Sequence, residues 1–179
     1  MLDDHGFEIY ENNIFPIAYL ITLRTYGTWH HGDKRFSVGR DETNIFGSPM
    51  IQPNVPLEEV MRARQSQPPF IFDQNHRRLV CEVLTEVSNY RNYDLRAANV
   101  RSNHAHVVVS GAVKPEKIVN DFKVYATRRL RDKGVVSLNR KIWSRGASTR
   151  YLWKPNHVMA AIDYVLYCQE GIPFEFREG

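Results

Sequence analysis

Cysteine is nearly absent from this sequence: Cys81 and Cys168 are the only two, and neither belongs to a CxxC pair. A disulfide framework and a cysteine-based zinc site are therefore not expected. Both thiols sit in apolar helical patterns and read as packing residues. Long apolar runs are also missing. The longest candidate, residues 14–23, is too short and too polar to cross a bilayer, which takes about 18 or more apolar residues. The N-terminus opens with Asp3, Asp4 and Glu8 where a secretory leader would carry basic residues and an apolar stretch. There is no internal repeat and no low-complexity tract. These absences point to a soluble, cytoplasmic protein with no membrane partner. Its 179 residues suit a single domain over 1–179.

What is present is unevenly distributed. Between Lys114 and Lys154 twelve Lys/Arg face three Asp/Glu, a local charge of +9. The whole chain carries only +4, so the remainder is at −5. Charge gathered in this way suits a polyanion surface. A solvated helix face is the plain alternative.

Residues 17–26 alternate, with Ile17, Tyr19, Ile21 and Leu23 on one side and Ala18, Leu20, Thr22 and Arg24 on the other. That period of two predicts a half-buried strand. Glycine and proline then punctuate residues 29–72, a loop-rich insertion with room for one short helix near 57–64. Asp73 is placed to cap a helix whose stripe is Leu79, Val80, Val83, Leu84, Val87 and Tyr90. Two strands follow, over 94–101 and 103–111, joined closely enough for a hairpin. Pro115 suits the first turn of a second helix with the stripe Ile118, Val119, Phe122, Ala126 and Leu130, which Gly134 ends. Residues 141–153 read as short strand material, and Pro155 opens a last helix to about residue 169. The order predicts an α+β fold, an antiparallel sheet with helices packed on it.

His104-Ala105-His106 lies inside the second strand of the hairpin. Residues two apart on a strand leave the same face, roughly 6.5–7 Å apart at the backbone. Two imidazoles so placed can converge on one divalent ion at about 2.0–2.1 Å. A pair of surface or core histidines is the competing reading. Tyrosine is a workable nucleophile beside such a site. A phenol attacking a phosphodiester keeps the bond energy in a phosphotyrosine ester, although its pKa near 10 calls for help from a metal. In the last helix Val158, Met159, Ile162, Val165 and Leu166 form the apolar stripe, and Tyr164 lies off it among His157, Ala160, Ala161 and Cys168. Tyr125 competes, but its spacing joins the core stripe of the preceding helix. His30 and His31 with Asp33 form a second cluster that reads as a loop feature, because adjacent residues on an extended chain point apart.

The run Arg101-Ser102-Asn103-His104-Ala105-His106-Val107-Val108-Val109 resembles the HUH motif of single-tyrosine transposases. It is most similar to the REP-associated tyrosine transposases and their insertion-sequence relatives. The middle residue, alanine, is smaller than usual. The likeness continues through Ile142-Trp143-Ser144-Arg145-Gly146 and Arg150 to the helix carrying Ile162-Asp163-Tyr164-Val165, and it covers about 16–30 and 73–170. It implies a ferredoxin-like HUH endonuclease core that nicks and rejoins single-stranded or hairpin DNA. Tyr164 would be the catalytic residue, and His104 and His106 would hold Mg²⁺ or Mn²⁺. Relatives often carry Gln or Asn four residues after the tyrosine, where this chain has Cys168. The third ligand is then Gln169, Cys168, His157 or water. Lys123, Arg128, Arg129, Arg145 and Arg150 are the expected DNA contacts, with Trp143, Tyr151 and Trp153 able to stack on bases or to close the sheet edge. The resemblance also implies nucleoid association, and relatives include homodimers as well as monomers. Two rival readings stand beside it: a nucleic-acid-binding module without chemistry, and a metal phosphodiesterase that activates water.

Overall fold

The computed structural model describes residues 14–29 and 54–168. Four strands, β1 (Ala18–Arg24), β2 (Asp94–Val100), β3 (His104–Ser110) and β4 (Ser148–Leu152), form one antiparallel sheet in the order β2-β3-β1-β4. Four helices accompany them: α1 (Val55–Ala63), α2 (Gln74–Arg91), α3 (Pro115–Asp132) and α4 (Pro155–Tyr167). With α2 between β1 and β2, and α3 between β3 and β4, this is the split β-α-β arrangement of a ferredoxin-like core. The α+β expectation holds. Most of the 29–72 stretch and the His30, His31 and Asp33 cluster lie outside the described residues. Among the described residues, no helix is long and apolar enough to cross a membrane.

Local chemistry explains the boundaries. Asp73 accepts from the backbone N–H of His76, whose ring reaches back to the Asp73 N–H, a reciprocal cap on α2. The helix ends at Asn92, which takes the left-handed conformation at φ 56°. Pro115 and Pro155 occupy the first turns of α3 and α4, where the missing N–H has no intrahelical acceptor in any case.

The sheet is covered on both sides. Tyr19, Ile21, Leu23, Val107 and Val109 join Leu84, Val87, Ile118, Phe122 and Leu130 in a core under α2 and α3. Ala18, Leu20, Ala97, Val108 and Leu152 pack against Val158, Ala161 and Val165 of α4. β1 is therefore buried on both faces except at its last residue, not half-buried as its alternation suggests. The alternation separates two cores, and Ala18, Leu20 and Thr22 on the second face are buried as well as Tyr19, Ile21 and Leu23 on the first.

Three packing expectations change. Tyr90 lies exposed at the end of the α2 stripe. Met159 is 61% exposed and Ala161 fully buried, so Ala161 takes the place of Met159 in the α4 stripe. Cys168 is exposed while Cys81 is buried, so only Cys81 is a packing thiol.

Candidate active site

The β3 histidines leave the α4 face of the sheet. In the β1–β3 register Thr22 stands opposite His106 and Arg24 opposite His104; in the β2–β3 register Asn99 stands opposite His106. Opposed residues of an antiparallel pair share a face. Ser148 of β4 extends the row through its pairing with Thr22. A polar line of Asn99, His106, Thr22 and Ser148 thus crosses this face next to the apolar cluster under α4.

The imidazoles of His104 and His106 approach to 4.4 Å between centroids with planes inclined at 70°. Each has its Nδ1 engaged. That of His106 is 2.8 Å from the Thr22 hydroxyl, and that of His104 is 2.6 Å from Oδ1 of Asn103. With Nδ1 committed in both rings, Nε2 is the nitrogen that each can offer a ligand. The Asn103 contact is itself fixed. Its backbone carbonyl accepts from the Thr25 N–H at 2.9 Å, the Thr25 hydroxyl at 3.0 Å and the Thr28 hydroxyl at 3.3 Å. These bonds clamp the hairpin turn against the end of β1.

Burial is the largest force on the protonation of His106. It lowers the pKa from about 6.5 to about 3, and the charges of His104, Arg24 and Arg101 act in the same direction. The ring is neutral at physiological pH, the state a metal ligand requires. Mg²⁺ and Mn²⁺ are hard dications that favour oxygen donors, and imidazole is the softer donor that suits divalent transition ions. Two adjacent neutral imidazoles with oriented Nδ1 atoms could supply the nitrogen part of a divalent ion's ligand set, with oxygen donors completing it. Among the described residues no third His, Cys, Asp or Glu completes a cluster with the pair. Gln169 lies outside the described residues.

Tyr164 reaches the pair from α4. Its ring stands 5.5 Å from that of His106 at 71°, and the residue is 39% exposed. Tyr125 is far from this place. It lies on α3, with Tyr90 at 6.3 Å and the Arg128 guanidinium at 5.5 Å, on the opposite side of the sheet.

The predicted cationic residues are divided by the sheet. Arg128 and Arg129 line the groove between α2 and α3, where Arg129 forms an ion pair with Glu86. The structure does not bring them to the histidines. The ammonium of Lys123 is turned inward to donate to the carbonyls of Ser144, at 2.7 Å, and Gly146. Burial pulls its pKa down to about 8. It holds the chain at that segment instead of presenting charge. Arg145 is exposed on the same segment, whose Ser144 N–H bonds the Arg24 carbonyl at 2.9 Å, at the histidine end of the sheet. Arg150 is buried on the α4 face, opposite Leu20. Trp143 packs edge-on to Phe72 at 5.3 Å, whereas Tyr151 and Trp153 lie nearly parallel, 6.4 Å apart. Arg24 and Arg101, absent from the expected set, are the cations whose charge acts on His106. Thr22, Asn99 and Asn103 were also missed. Strand register alone could have found the first two, by pairing them with the histidine.

A family model described as IS200-like transposase matches residues 60–165, well over half of the chain, and spans both histidines and Tyr164. The chain belongs to the IS200-like transposase family. A solved structure described as a REP-associated tyrosine transposase bound to a REP hairpin is similar over 89% of this chain and 70% of that one, with a TM-score of 0.48 and 10% identity. No curated protein matches in sequence. In this IS200-like chain the motif residues come from two separate elements, β3 and α4, that meet only through the sheet's second face.

Proposed function

We propose that this IS200-like transposase cuts and rejoins single-stranded or hairpin DNA through Tyr164, with His104 and His106 holding Mg²⁺ or Mn²⁺. The observation that carries the reading is the 5.5 Å approach of the Tyr164 ring to His106 in a site with its own oriented histidine pair. The phenolic oxygen of Tyr164 forms a bond to phosphorus and the bond from phosphorus to a deoxyribose oxygen breaks. The phenolic proton leaves to solvent, and the departing sugar oxygen takes one up. The resulting phosphotyrosine ester conserves the energy for rejoining. When bound, a divalent ion polarises the phosphate and stabilises the charge that develops on it. Thr22 and Asn103 orient the two imidazoles. Arg24 and Arg101 add positive charge where a phosphate would enter.

Incubation with labelled hairpin DNA and Mn²⁺ tests this. A covalent protein–DNA adduct that disappears in Tyr164→Phe is the expected result. DNA retention without any adduct would favour a binding module. Cleavage that survives Tyr164→Phe would favour water as the nucleophile.

A further inference from the structure

Asn99 is fully buried on the α4 face of the edge strand β2, beside the apolar cluster that contains Ala97, Val108 and Val165 and opposite His106. Its Nδ2 donates to the backbone carbonyl of Val165 at 2.9 Å, across 66 positions of sequence. Its Oδ1 meets no hydrogen-bond partner among the described residues. A half-satisfied amide costs stability in a place where an apolar side chain of similar size would pack. The amide therefore has another use.

That use is visible in what it touches. A helix leaves its last four carbonyls without intrahelical donors. Val165, two residues before the end of α4, lies among them. The Tyr164 carbonyl receives the Cys168 N–H at 3.3 Å, and the Val165 carbonyl receives Asn99. α4 has no side-chain cap at its start and no basic residue in its last turn. Asn99 thus acts as a remote C-cap, delivered from the sheet. It does so from the position directly opposite His106. One side chain stands beside the metal-ligand candidate and holds the residue next to the tyrosine.

We infer that Asn99 is a positioning residue that fixes the last turn of α4 on the sheet and so sets the distance between Tyr164 and the histidine pair. The inference rests on the reading of Tyr164 as nucleophile for its catalytic part, and on the hydrogen bond alone for its structural part. The test uses Asn99→Leu, which keeps the branched shape and the number of heavy atoms and removes the donor, and Asn99→Ala, which asks for no extra space should the bulkier first variant fail to fold. Amide hydrogen exchange should quicken over residues 161–168 and stay as in the parent over α2 and α3. Single-turnover adduct formation on hairpin DNA should slow by about 10²-fold, the cost of roughly 1 Å of misplacement, with the Kd for that DNA unchanged. Parent-like exchange in the last turn overturns the anchoring. Quickened exchange with an unchanged adduct rate overturns the positioning role. A loss of DNA binding equal to the loss of rate overturns it as well. Tyr164→Phe, run alongside, reports separately on the nucleophile, so an adduct surviving in that variant discards the tyrosine reading without touching the exchange result.

Discussion

The buried imidazole of His106 should make the fold acid-sensitive in a measurable way. In the unfolded chain this group titrates near 6.5; in the folded protein burial, then His104, Arg24 and Arg101, bring it to about 3. Thr22 and Asn99, which face it from the neighbouring strands, have no charge to add. Between these two pKa values the unfolded state binds a proton that the folded state does not. Stability is therefore complete above about pH 6.5 and falls as the pH drops towards 3. Each pH unit in that window is worth about 1.4 kcal/mol per proton. Going from pH 7 to pH 5 should cost about 2 kcal/mol, or about 4–8 °C in Tm for a chain of this size. Urea unfolding at both pH values, on the parent and on His106→Gln, isolates the contribution. The variant keeps a polar side chain of similar length but has no proton to bind. Its loss of stability between pH 7 and 5 should be smaller by about 2 kcal/mol. An identical pH slope in parent and variant would refute the argument, because the proton taken up on acid unfolding would then belong to other groups.

Two further expectations follow from the neighbours of the site. Thr22→Val removes the partner of His106 Nδ1 and should weaken Mn²⁺ binding by about 10- to 100-fold, as outer partners of metal-bound histidines commonly do; Thr22→Ser should retain it, and titration followed by electron paramagnetic resonance distinguishes the two. Lys123→Met strands the carbonyls of Ser144 and Gly146 and should lower stability by about 1–3 kcal/mol. Because its ammonium faces the chain, the salt dependence of DNA retention should not change slope, whereas loss of a phosphate contact would reduce it by about 0.7–0.9.

The elements were legible because their signals are local. Asp73, Pro115, Gly134 and Pro155 mark helix ends by backbone chemistry that needs no tertiary context. The histidine pair was legible for the same reason, since a strand puts alternate residues on one face wherever the strand lies. Tyr164 was found by its distance from an apolar stripe, although the stripe itself was misplaced: Met159 looked more apolar than Ala161, yet only the small residue lets α4 approach the sheet. What could not be read depends on register and layer. Thr22, Asn99 and Asn103 gain meaning from the strand or ring they face. The charge cluster between Lys114 and Lys154 looked like one surface in sequence, but α3 and the Ser144–Gly146 segment approach the sheet from different places, leaving Arg128 and Arg129 behind the sheet and Arg145 near its histidine end.

Dual burial of β1 and β3 has a consequence for how this chain can vary. Nearly every side chain along these two strands belongs either to the core under α2 and α3 or to the layer under α4, with few left over to absorb an error. Inserting or deleting a single residue in either strand would exchange the two sets, driving imidazoles and a threonine into the first core and turning isoleucine, leucine and valine towards α4. Substitutions can be tested one layer at a time, but the length of these two strands is not free to drift.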